Sequence, residues 1–205
     1  MKLKVLATSV ALLATVIGSA AQADPPNFDF FGHSIVPTMV GGGLTLRSVL
    51  TNNGVVPTPI PLDFTNNQYT VVVTGTLASI SGTKQFYSPA TVSMYEDAIG
   101  GGTAANYASP ATFTDGTLIL GGSFDGNLER QQFSPSLGSF IGTVDFSSGS
   151  RLGDLTTPND WPFWGGWSRS GMLQPGYHEK WDGEIEFNPV AVEDRTWGSV
   201  KSLFN

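Results

Sequence analysis

The residue types best suited to chemistry crowd into one stretch, WPFWGGWSRSGMLQPGYHEKWDGEIEF, running from Trp161 to Phe187. It carries four of the five tryptophans, one of the two histidines and four carboxylates. Trp164, Trp167, Arg169, Tyr177 and Asp182 form a set suited to a glycan: flat aromatic faces for sugar rings, with polar groups beside them for the hydroxyls. The competing reading is that large rings bury wide apolar areas and hold a long loop against the core. Trp161, Trp164 and Trp167 are spaced by three, which on a helix would make a stripe, but Pro162 and the Gly165-Gly166 pair disfavour a helix. Extended chain instead places Trp161 and Trp167 on one face and Trp164 on the other.

Other chemistries find less support. His178-Glu179-Lys180-Trp181-Asp182 lacks the second histidine of a zinc-protease helix. Ser168 lies in Gly-Trp-Ser-Arg-Ser-Gly, which fails the nucleophile-elbow pattern and has no buried parallel strand before it. Glycoside hydrolysis needs only two carboxyl groups, one of them held protonated in an apolar setting. Glu96 with Asp97, Glu129, and Glu184 with Glu186 are the candidates, the last pair about 7 Å apart along one strand face. Alternating glutamates are also what the solvent face of any strand looks like. Asp125-Gly126-Asn127 with Glu129 echoes part of a calcium loop without the order of an EF-hand. No catalytic residue, metal ligand or cofactor is assigned, and structural calcium stays open.

The elements that must position these groups are strands. Leu44–Leu50 and Gly183–Phe187 alternate apolar and polar residues, with Glu184 and Glu186 outward in the second. Tyr69–Ile80 is rich in β-branched residues, and Thr91–Asp97, Gly116–Phe124, Asn127–Phe133 and Ser139–Ser147 read as further strands. Asp125-Gly126 is expected at the centre of a tight hairpin. Pro57, Pro59 and Pro61 restrict their segment to an edge or covering loop. Strands without intervening helical patterns predict an all-β antiparallel sandwich, jelly-roll-like, with a small β-barrel as the alternative. An outer-membrane barrel is disfavoured, because its lipid face would need longer strands with an apolar band.

The chain begins with Lys2 and Lys4, an apolar run from Val5 to Ile17, and Ala21-Gln22-Ala23, the pattern of a secretory signal. The expected organisation is a signal over 1–23, a single domain over 24–190 and a tail over 191–205, with export to the periplasm, cell surface or exterior. No later segment is apolar enough to span a membrane. Absence of cysteine excludes disulfides and thiolate sites. Without the two signal lysines, eight basic residues face seventeen acidic ones, which argues against nucleic acid as a partner. In the tail, Trp197, Val200, Leu203 and Phe204 fall on one face of a predicted short helix.

YTVVVTGTLAS, VSMYEDA, ASPATFTDGTLILGGSF and GYHEKWDGEIEF together resemble a loose group of uncharacterised secreted bacterial β-proteins. That resemblance implies secretion and fold, and carries no activity. The ending Trp197-Gly198-Ser199-Val200-Lys201-Ser202-Leu203-Phe204 resembles a W-G-x-aliphatic-K-x-L-aromatic tail on unrelated exported proteins, which implies docking or sorting through Trp197, Val200, Lys201, Leu203 and Phe204. The combined expectation is an exported, non-enzymatic protein that binds or assembles at the surface, its partner a glycan or another envelope protein. A glycan-binding module and a carbohydrate-active hydrolase are the alternatives.

Overall fold

Alternation of apolar and polar residues sends successive side chains to opposite faces of a strand, and nine segments carry it. The computed structural model describes residues 25–52, 56–100 and 102–187. Its strands are β1 (Asn27–Ile35), β2 (Gly43–Leu50), β3 (Asn67–Ser81), β4 (Lys84–Ala98), β5 (Thr117–Phe124), β6 (Leu128–Ser134), β7 (Leu137–Ser148), β8 (Trp161–Ser168) and β9 (Glu179–Glu186). All pairings are antiparallel. Except for β5 and β6, consecutive strands pair with each other, and β9 returns to pair with β1 from Asn27↔Glu186 to Ser34↔Glu179.

The sheet therefore closes on itself as an up-and-down barrel, and the expectation of a sandwich is corrected in favour of the barrel alternative. Both architectures use the same alternation, and only the β1–β9 pairing separates them. The segment NFDFF, preceded by Pro25 and Pro26, forms the start of β1. Two short 3-10 turns, Pro110–Phe113 and Leu152–Asp154, are the only helical elements among the described residues, and none there is long and apolar enough to cross a membrane. The predicted tail helix lies outside the described residues.

The Asp125-Gly126 hairpin is also corrected. β5 and β6 do not pair with each other. Each runs antiparallel to β4 and to β7, and the register is nearly continuous, from Phe124↔Val144 in β5 to Glu129↔Ile141 in β6. The chain thus keeps its direction through Asp125-Gly126-Asn127, with the Asp125 amide still bonded to the Thr143 carbonyl at 2.9 Å. Gly126, at φ +75°, supplies a left-handed residue to a break in one long strand. Eight strand positions result.

An eight-stranded barrel has an interior just wide enough for side chains. Here aromatic rings fill it. Phe140 stacks on Trp181 with centroids 4.2 Å apart, Phe30 on Phe163 at 5.2 Å, and Phe28 on Trp161 at 6.0 Å. Phe140 fits because Gly165 and Gly183 face each other across β8 and β9. A Cβ on Gly183 would come within 2.6 Å of the Phe140 ring, closer than any real contact. Each such buried ring contributes roughly 1.5–3 kcal/mol by leaving water. The proline-rich segment covers one end as a loop, with Ile60 buried in the core.

A fully buried ion pair sits inside the barrel. Glu179 of β9 and Arg130 of β6 point inward and form an ion pair, both side chains essentially without solvent. Arg130 Nε donates to Glu179 Oε2 at 3.0 Å, Arg169 Nη2 to Glu179 Oε1 at 2.9 Å, and Trp181 Nε1 to Glu179 Oε2 at 3.3 Å. Arg130 also donates to Gln85 at 3.1 Å and lies over the Trp167 ring, 3.8 Å from its centroid. Burial pushes the neighbouring Tyr87 phenol far above its ordinary value.

Candidate functional site

Because the interior is packed, ligand-accessible chemistry falls on the outer wall. The register of β7, β8, β9 and β1 lays outward residues out in cross-strand rows. One row runs Ile141, Trp164, Glu184, Asp29; the next runs Ser139, Gly166, Asp182, Phe31. Gly166 has no side chain, so the second row dips to backbone level between its neighbours. The result is a groove of about 410 Å³ along β8, β9 and β1. Trp164 forms one wall and Phe31 stands opposite, two strands away, a span of about 10 Å at ordinary strand spacing. Leu137 and Lys180 line one end.

The groove carries three carboxyl groups, Asp29, Asp182 and Glu184, against one ammonium, Lys180. Burial, reinforced by the nearby Asp29 charge, raises the Asp182 carboxyl above its ordinary value. Asp29 accepts from the Thr51 hydroxyl at 2.7 Å, and Asn27 donates to Glu184. The Trp164 indole N–H donates to Glu186 at 3.3 Å, which helps to fix the plane of the ring. The Lys180 Nζ lies 3.0 Å from where a Gly171 Cβ would stand.

Beside the groove, the connection from β4 to β5 crosses the outside of the barrel. Thr70 of β3 donates to the Phe113 carbonyl at 2.8 Å, and Tyr107 packs edge-on against His33 of β1 with centroids 4.6 Å apart. Tyr177, from the β8–β9 connection, meets both: 5.3 Å from Tyr107 and 5.9 Å from His33. His33 is 5% exposed, its Nδ1 has no hydrogen-bond partner, and its register neighbours are Arg47 and Lys180. Burial lowers its pKa, and the Lys180 charge lowers it further. The Tyr107 phenol is pushed up to about 12, by burial first and then by Tyr177.

The structure splits the five residues singled out in the sequence. Trp164 and Asp182 come together in the groove. Trp167 points into the barrel, where its N–H donates to the Gln131 carbonyl at 3.0 Å. Arg169 closes the barrel end over Glu179, and Tyr177 is buried beneath the crossing connection. The stretch expected to be one long loop is two strands joined by residues 169–178. Trp161 and Trp181 belong to the core. Strand alternation placed Trp161 and Trp167 against Trp164 as expected. Trp197, Val200, Lys201, Leu203 and Phe204 lie outside the described residues.

The carboxylate candidates disperse likewise. Glu96 points inward to accept from the Tyr69 hydroxyl at 2.9 Å, so Asp97, its neighbour in β4, faces the other way. Glu129 pairs with Lys84 at 2.7 Å. Glu184 and Glu186 share the outer face, but Glu186 is buried. His178 accepts from the Val36 amide at 3.1 Å. No cluster of three or more His, Asp or Glu side chains suited to a metal occurs among the described residues. Sequence reasoning missed Asp29, Phe31 and Lys180 as groove residues and the buried Arg130–Glu179 pair. Alternation in β1 pointed Asp29 and Phe31 to one face, but nothing local brings β1 to β9. No family model, no curated protein and no solved structure matches this chain.

Proposed function

We propose that the protein is an exported, non-enzymatic binding protein, and that its contact face is the groove on β8, β9 and β1, which takes up a glycan. The observation that supports this most is the division of labour in the barrel. Among the described residues the interior is filled by stacked rings, while the outer wall holds a concave trough with an aromatic wall and a set of carboxylates. Concave sites with apolar walls and a few convergent polar groups are where ligands bind. Trp164 offers a ring face to a sugar, and Asp182, Asp29 and Lys180 offer bonds to hydroxyls. Export rests on the signal-like amino terminus, and assembly through the tail on its resemblance to docking endings.

Tryptophan fluorescence of the mature protein tests the proposal. In a Trp197→Phe background, acrylamide should quench only the Trp164 fraction of the emission, since Trp161, Trp167 and Trp181 are buried. A bound polysaccharide should protect that fraction, and Trp164→Phe should abolish the protection. Emission that no member of a broad polysaccharide panel protects would overturn the reading.

A further inference from the structure

The charges around the groove narrow the ligand class. Resting on the glycan reading above, we infer that the groove selects an amine-bearing glycan, an amino sugar chain with free ammonium groups, over neutral or anionic polysaccharides. Three carboxyl groups and one ammonium line the trough, and the ammonium is directed toward Gly171. Asp182 is exposed on the trough floor opposite Gly166 and, among the described residues, has no hydrogen-bond or ion-pair partner. A ring resting on Trp164 and spanning toward Phe31 would present its equatorial substituents to that floor. An ammonium there meets Asp182 with Asp29 beside it. A uronate or sulfate in the same place would meet like charge and be rejected.

A basic peptide is the rival with the same charge. The fold disfavours it: peptides gain affinity on sheets by adding to a free edge, and the strands beneath the groove, β8, β9 and β1, are each paired on both sides. The groove floor is backbone whose ladder bonds are already made between β8 and β9. What remains is ring stacking plus charge, the chemistry of an amino sugar.

The test uses the full mature chain with glucosamine hexamer, N-acetylglucosamine hexamer, a uronate hexamer and hexalysine, by calorimetry at a pH where the amine is charged. The expected order is glucosamine hexamer first, N-acetylglucosamine hexamer weaker, uronate unbound. Asp182→Asn should weaken the glucosamine hexamer by about tenfold or more, the loss of one charged hydrogen bond, and the N-acetylated hexamer by distinctly less, since a neutral hydroxyl can still bond to the amide. Trp164→Ala should weaken both. Equal, Trp164-dependent binding of the two hexamers would overturn the amine preference and leave the glycan reading standing. Hexalysine binding as tightly as the glucosamine hexamer, insensitive to Trp164→Ala, would overturn it in favour of charge alone. Binding of no hexamer would remove both. Asp182 is exposed, so its variant should fold; an unchanged melting curve checks this.

Discussion

The two ends of the buried ion pair are not equivalent, and the asymmetry is testable. Glu179 is held by Arg130, Arg169 and Trp181, whereas Arg130 donates only to Glu179 and Gln85. Replacing Glu179 by Leu strands a guanidinium whose side chain is 3% exposed. Arg169, whose side chain is 44% exposed, can turn to water. Orphaning a buried charge in this way costs about 3–5 kcal/mol. Replacing Arg130 by Met, close in length and able to lie over Trp167, leaves Glu179 with Arg169 and Trp181. The expected cost is the lost charged hydrogen bonds alone, roughly 1.5–3 kcal/mol. Replacing both should cost less than the sum of the single changes, because no orphan remains. Urea unfolding of the four proteins measures the cycle. An Arg130→Met variant as unstable as Glu179→Leu, or strictly additive costs, would refute the claim that Glu179 is the hub.

Three further predictions follow from packing and burial. Because His33 is held neutral in the fold, the unfolded chain binds its proton more readily. Stability should therefore fall as pH drops below the ordinary value of 6.5, and His33→Gln should flatten that part of a urea-midpoint profile between pH 7 and 5. Gly183→Ala places a methyl against Phe140 and the Trp164 carbonyl, at an expected cost of about 1–3 kcal/mol, or about 2–4 °C of melting temperature per kcal/mol; Gly41→Ala meets no neighbouring atom but adopts φ +85°, so any cost there is conformational. The Tyr107 phenol should not ionise until about pH 12, which ultraviolet titration of Tyr107→Phe against the parent would show as a missing late step.

How much of this was legible beforehand follows from the range of each interaction. Alternation is local, so the strands of β3, β5 and β7 and the outward Glu184 and Glu186 could be read directly, as could the opposed faces of Trp161 and Trp164. Barrel closure depends on Asn27↔Glu186, two residues separated by nearly the whole described chain, and no nearby pattern encodes it. Asp125-Gly126 misled for a related reason. Its backbone permits both a reversal and a bulge, and the choice is made by β4 and β7, which grip both flanking segments in the same direction. Trp167 and Arg169 carry the residue types of a binding site, yet the buried Arg130–Glu179 pair engages both, Arg130 over the Trp167 ring and Glu179 with Arg169.

The same packing accounts for where function can reside. Gly165 and Gly183 face inward to admit Phe140, whose ring fills that level of the interior. Gly166, next to Gly165 on β8 and in the outward phase, then opens the floor of the outer groove opposite Asp182. Adjacent glycines at 165 and 166 thus serve opposite faces of one strand, one by accepting a ring from within and one by leaving space outside. If the groove is the contact face, Gly166→Leu should fill it and abolish binding with little loss of stability, since position 166 lies in the outward phase of β8. Gly165→Leu should instead unfold the barrel. Equal destabilisation by both changes would mean that the outer wall at Gly166 is as tightly packed as the core, which would remove the groove from consideration.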